Sequence, residues 1–148
     1  MAKLPGSVLF ACNYNAVRSP MAEGLAKALI GHLVYVDSVG VRGGGELDGF
    51  AAAVLAERGI DISAHQAKTF DDLEDSSFDL VVTLTPQAQH KAVEMTRTMA
   101  IEVEYWPTFD PTVTIGSREV VLAAYRDVRD NLEARIRARF PLPADPTG

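Results

Sequence analysis

A second cysteine is missing from this chain of 148 residues, and Cys12 standing alone excludes an internal disulfide and any cysteine-rich zinc cluster. Basic residues are scarce as well: 14 Lys and Arg stand against 20 Asp and Glu, a net charge of −6. The broad cationic face that a nucleic-acid backbone requires is absent, so no nucleic-acid partner is expected. No apolar run reaches transmembrane length, and the one near the N-terminus, about five residues long, is too short for a secretory signal. The expectation is a cytoplasmic protein with no membrane partner, a monomer or weak homodimer. At this length one domain buries about two thirds of its unfolded surface without a staple. It is expected over residues 1–140, followed by a loose tail over 141–148.

Within that domain strands and helices alternate. Ser7 to Cys12 is an apolar run containing a β-branched residue. Met21, Leu25 and Leu29, with Ala22 and Ala26 beside them, recur at helical spacing from Ser19 to about Gly31. A strand is expected over Leu33–Ser38 and a helix from about Leu47 to Arg58, stopped by Gly59. Phe78–Leu84 is almost continuously apolar, as in a strand buried on both faces, and Pro86 opens another helix. Ile101–Trp106 supplies a fourth strand. Val121, Tyr125, Val128, Leu132 and Ile136 then mark an amphipathic helix from Ser117 to about Arg139. The alternation predicts an α/β fold, a single-domain three-layer α/β/α arrangement around a central four-stranded parallel sheet. Its ligand site belongs at the C-terminal ends of the strands.

Cys12 falls at such an end, six residues before Arg18, in Cys12-Asn13-Tyr14-Asn15-Ala16-Val17-Arg18-Ser19-Pro20. A tight loop running into a helix N-terminus turns successive backbone N–H groups toward one point, where the helix dipole adds positive charge. The residues from Asn13 to Ser19 are therefore read as a phosphate-binding loop after the first strand. Arg18 can donate two parallel hydrogen bonds to an oxyanion, and Cys12 lies beneath it as a nucleophile. Ser19 is read as the helix N-cap, Pro20 as its first residue and Glu23 as an acid in its first turn. A leaving group must also receive a proton. Asp110, in Trp106-Pro107-Thr108-Phe109-Asp110-Pro111, follows a strand end among apolar neighbours that favour the protonated form a general acid needs.

These residues resemble the low-molecular-weight protein tyrosine phosphatase family and the related thioredoxin-coupled arsenate reductases. The resemblance spans nearly the whole chain: Cys-x5-Arg-Ser-Pro with Met-Ala-Glu after it, Asp37-Ser38-Val39-Gly40, Gly59-Ile60-Asp61-Ile62-Ser63-Ala64-His65, Asp79 to Thr83, and Asp110-Pro111. It implies Cys12 as nucleophile, Arg18 as phosphate clamp, Asp110 as general acid and base, and Ser19 as a hydroxyl that stabilises the Cys12 thiolate. It further implies that Asn15 holds the loop's strained shape, with Ser38 and His65 bonding to it. No metal or organic cofactor is implied. The substrate would be a phosphorylated protein or a small aryl phosphate, cleaved through a cysteinyl-phosphate.

The chain departs from that pattern at Tyr14, where the family usually has Gly, at Val17, where the tyrosine phosphatases commonly have a second cysteine, and at Thr112 and Val113, where aromatic residues follow the Asp-Pro. Thr85 and Ala92 replace the two resolving cysteines of the arsenate reductases, so an intramolecular disulfide cascade has no thiols to run on. Two other readings stand beside the phosphatase: an arsenate reductase that draws on an external thiol, and a catalytically impaired phosphate-binding regulatory protein. His32 and His90 read as surface residues, Gly43 to Gly45 as a rim, and Asp71, Asp72, Glu74 and Asp75 as a solvated helix end rather than a metal site.

Overall fold

The computed structural model describes residues 4–73 and 77–142. Four strands, β1 (Ser7–Cys12), β2 (Tyr35–Gly40), β3 (Leu80–Thr83) and β4 (Glu102–Tyr105), form one parallel sheet in the order β2-β1-β3-β4. Helices α1 (Arg18–Ile30), α2 (Gly49–Ala56), α3 (Pro86–Met95) and α4 (Arg118–Arg139) alternate with them. Successive side chains of a strand point to opposite faces, and β1 shows the result. Val8, Phe10 and Cys12 face a core built with α1, α2 and α4, while Leu9 and Ala11 face Ala88 and Ala92 of α3. Three layers follow from that alternation.

The periodic residues of α4 behave as their spacing dictates: Tyr125, Val128, Leu132 and Ile136 are buried, and Val121 packs partly buried against them. Asp48 caps α2 through hydrogen bonds from the backbone N–H of Phe50 and Ala51, and Ser117 caps α4 through Val120. Gly59, with φ 74°, turns the chain out of the helix as a left-handed position requires. β2 begins at Tyr35 rather than Leu33, because the amides of Leu33 and Val34 are spent on the carbonyl of Ile30 in the turn that ends α1. Asp71 and Asp72 lie in a short 3-10 turn, Phe70–Asp72, and Glu74 and Asp75 lie outside the described residues, as does the tail beyond Leu142.

The strand order decides where a ligand can sit. From β1 the chain crosses to β2 on one side and later to β3 on the other, so the loops leaving β1 and β3 diverge at their C-terminal ends and open a crevice there. The segment after β4 is drawn to the same rim. Trp106 N–H donates to the Thr83 carbonyl at 2.7 Å and Thr108 N–H to the Leu84 carbonyl at 3.1 Å, so residues 106–110 track the end of β3. The Trp106 ring anchors this course, 6.0 Å from Phe10 and 6.4 Å from Phe140 between ring centres.

Candidate active site

The loop from Asn13 to Val17 leaves β1 and closes on α1. Its carbonyls are tied outward: Arg42 N–H donates to Asn13 at 2.8 Å, Asp48 N–H to Ala16 at 2.9 Å and the His65 ring to Asn15 at 3.1 Å. Its amides are not. Among the described residues no hydrogen bond uses the backbone N–H of Asn13, Tyr14, Asn15, Ala16 or Val17. A run of five unspent donors beside a helix N-terminus is a cradle for an oxyanion.

The helix begins at Arg18, two residues earlier than its caps suggest. Val17 occupies the N-cap position without a side-chain cap bond, no acid stands in the first turn, and Ser19 is already inside the helix. The Ser19 hydroxyl is needed elsewhere. It is buried and lies 2.9 Å from Cys12 Sγ, itself 3% exposed, and it accepts from Asn15 Nδ2 at 2.9 Å. Its own proton has two acceptors in reach, Cys12 Sγ and the Val39 carbonyl at 3.3 Å.

Asn15 organises the loop. It is the one non-glycine residue among those described with a positive φ, 57°, which an asparagine tolerates better than most residues. Its amide is fully used: Nδ2 donates to Ser19 Oγ and, at 2.8 Å, to Ser38 Oγ, and Oδ1 accepts from Lys68 N–H at 3.0 Å. Ser38 Oγ in turn donates to Glu23 Oε1 in a short bond. Glu23 also pairs with Lys27 at 2.5 Å and faces His65 Nδ1 at 3.8 Å. A carbonyl can only accept, so His65 Nε2, bonded to the Asn15 carbonyl, carries the ring proton. The acid read as a first-turn residue is thus the anchor of the network that orients Ser38. The sequence reading also passed over Lys68, whose backbone, rather than its side chain, makes the contact.

Tyr14 takes the family's glycine position without a left-handed backbone, and its side chain is 49% exposed, on the rim rather than in the cradle. The tight approach falls instead on glycines that face the loop. A β-carbon at Gly40 would sit 2.7 Å from Asn15 N and Tyr14 C, and one at Gly45 would sit 2.5 Å from the Tyr14 carbonyl oxygen. These contacts are with backbone, which cannot swing aside. Gly40→Ala is therefore expected to destabilise the protein by about 1–3 kcal/mol, the usual cost of overpacking. Thermal unfolding of the variant would check it, and an unchanged Tm would mean that the loop is not clasped as described.

Arg18 Nη1 donates to the Thr108 carbonyl at 3.1 Å and forms no ion pair among the described residues. That single bond ties the guanidinium to the Asp110 segment and leaves most of its donors for an anion. Asp110 caps the 3-10 turn Pro111–Val113, its Oδ1 accepting from Thr112 N–H at 3.0 Å and Thr112 Oγ1 at 2.6 Å. Beside it, Tyr125 donates to Asp48 Oδ2 at 3.0 Å. Burial holds the phenol's pKa well above its ordinary value, with the Asp48 carboxylate and then Asp110 adding to the effect, so it remains a donor. Phe50 packs on the Tyr125 ring, 5.4 Å between ring centres, and the Arg118 guanidinium lies over the Phe50 ring, 5.3 Å from its centre. The aromatic pair near this segment thus comes from α2 and α4 rather than from residues 112 and 113, and its Tyr125 member is buried. His32 and His90 are exposed, and among the described residues no group of three or more His, Cys, Asp or Glu is placed to hold a metal ion.

Comparison with known proteins matches this geometry. The family model for low molecular weight phosphotyrosine protein phosphatase matches residues 7–140. The chain is 35% identical over 131 residues to an arsenate reductase of Bacillus licheniformis, covering 88% of this chain and 92% of that one. It is 36% identical over 125 residues to a low molecular weight protein-tyrosine-phosphatase of Streptomyces coelicolor, covering 76% and 74% of the two chains. Among solved structures it is similar to YwlE arginine phosphatase in a mutant with a phosphorylated active site serine, with a TM-score of 0.72, 27% identity, and coverage of 88% and 91%.

Proposed function

This chain belongs to the low molecular weight phosphotyrosine protein phosphatase family, and from that premise we propose that it is a phosphatase acting on phosphomonoesters through a cysteinyl-phosphate. The observation that carries the reading is the set of five unspent loop amides above a buried Cys12, with the Arg18 fork beside them.

In the proposed reaction the cradle and Arg18 hold the three non-bridging oxygens of the phosphoryl group. Cys12 Sγ attacks phosphorus in line, forming the S–P bond as the ester P–O bond breaks. Asp110 gives its proton to the departing oxygen. Water then attacks the same phosphorus, Asp110 takes a proton from it, the S–P bond breaks, and inorganic phosphate leaves with the thiolate restored. Ser19 is assigned to hold that thiolate, and Asn15, Ser38 and His65 to hold the loop. No step calls for a metal or organic cofactor. The reading goes with a cytoplasmic location, where reducing conditions keep a lone reactive thiol free.

A second reading, arsenate reduction, is favoured by the name of the Bacillus relative. With Cys12 the sole cysteine, the two electrons would have to come from external thiols becoming a disulfide. The deciding experiment is steady-state turnover of an aryl phosphate by the purified protein without metal or thiol, set beside arsenate reduction with added thiol. Hydrolysis without thiol is the expected result. Turnover of arsenate alone would replace the phosphatase by the reductase, and phosphate binding without either turnover would leave a regulatory protein.

A further inference from the structure

Between the cradle and the N-terminus of α3 lies a cavity of about 260 Å³ lined by Asn13, Tyr14, Val41, Arg42 and Gln87. On a protein with a net charge of −6, no Asp or Glu lines it. Its lining is rich in donors: a guanidinium, two carboxamides and a phenol. Arg42 is exposed, and its side chain has no ion pair or hydrogen bond among the described residues, whereas other cations near the loop, such as Lys27 and Lys68, are paired with Glu23 and Asp37. The Asn13 Oδ1, an acceptor, is buried and unbonded. The Arg42 main chain is anchored beside the loop, its backbone N–H donating to the Asn13 carbonyl at 2.8 Å.

We propose that this cavity binds an acidic side chain of the substrate, so that the enzyme acts on a phosphorylated residue with a neighbouring Asp or Glu in a polypeptide rather than on a free small ester. The inference rests on the phosphatase reading above and names the substrate class of that same site. Asn13 and Tyr14 belong both to the loop and to the cavity, so the cavity adjoins the cradle on its outer, α3 side. Adjacent residues of a peptide have α-carbons about 3.8 Å apart, which lets one side chain reach each place. A carboxylate meets the unspent donors of the Arg42 guanidinium, and Tyr14 offers a rigid wall. Because the protein's net charge is −6, the preference is local in origin and is expected to shrink as salt screens it.

The test compares kcat/KM for phosphotyrosine peptides of one sequence in which the residues on either side of the phosphotyrosine are Glu, Gln or Lys, with an aryl phosphate run alongside. At one flank Glu is expected to exceed Gln by about three- to tenfold, as one partly exposed ion pair allows. In Arg42→Ala the Glu-to-Gln ratio should fall to about one, and in Arg42→Glu the preference should turn toward Lys. If the aryl phosphate and the peptides are hydrolysed but Glu and Gln are equivalent, or Arg42→Ala keeps the wild-type ratio, the inference is wrong and the phosphatase reading stands. If neither the aryl phosphate nor any peptide is hydrolysed, the phosphatase reading fails and takes the inference with it.

Discussion

Cys12→Ser is expected to abolish hydrolysis, with kcat lower by roughly 10⁴–10⁶-fold, the scale seen when an enzyme loses its nucleophile. A hydroxyl at this position stays protonated near neutral pH and would need a base, and among the described residues none is hydrogen-bonded to Cys12 Sγ. The group within hydrogen-bond distance of Cys12 Sγ is the Ser19 hydroxyl, and the His65 ring is committed to the Asn15 carbonyl. Binding of inorganic phosphate should survive, because the loop amides and Arg18 are untouched, and so should the fold, since oxygen for sulfur barely changes the packing of a buried side chain. Calorimetric titration with phosphate beside the kinetic assay separates the two effects. Hydrolysis persisting in the variant would sink the covalent mechanism, and loss of phosphate binding together with activity would point to a collapsed loop.

Asp110→Asn is expected to slow hydrolysis by roughly 10²–10⁴-fold, the range for removal of a general acid. The replacement keeps an oxygen to accept from Thr112 N–H and Oγ1, so the turn over Pro111–Val113 should hold and the deficit be chemical. The deficit should also depend on the leaving group: large for alkyl or tyrosyl esters, which need a proton to depart, and small for activated aryl esters, which do not. Measuring kcat across esters of graded leaving-group pKa would reveal this as a steeper dependence in the variant. An equal loss for every ester would mean that Asp110 shapes the site without moving a proton.

Much of this was legible in the chain itself. Alternating apolar runs and helical stripes foretold a parallel sheet between helices, since period 2 and period 3.6 are local properties of neighbouring residues. The loop between Cys12 and Arg18 was legible for the same reason: its parts lie within seven positions. The errors were equally local. Ser19 followed by Pro20 has the composition of a cap, yet the hydroxyl turns inward to Cys12 and Asn15, because a buried thiol and a buried amide need partners. Glu23 has the composition of a first-turn acid and instead accepts a hydrogen bond from the Ser38 hydroxyl.

The sequence by itself determined the layered α/β class, the place of the cradle after the first strand, and the residue types that could do chemistry there. Only the tertiary structure decided how they meet. Asn15 bonds Ser38 across 23 positions and Lys68 across 53, and Arg18 reaches Thr108 across 90. Such pairings depend on which strand lies beside which and in what register, and no local period encodes either. The order β2-β1-β3-β4 and the pairing of Cys12 with Gly40 bring Ser38, Gly40 and the end of β3 against one loop. The same order aligns the segment after β4 with that rim, and so puts Asp110 on it and leaves Arg42 beside a cavity with no acid of its own.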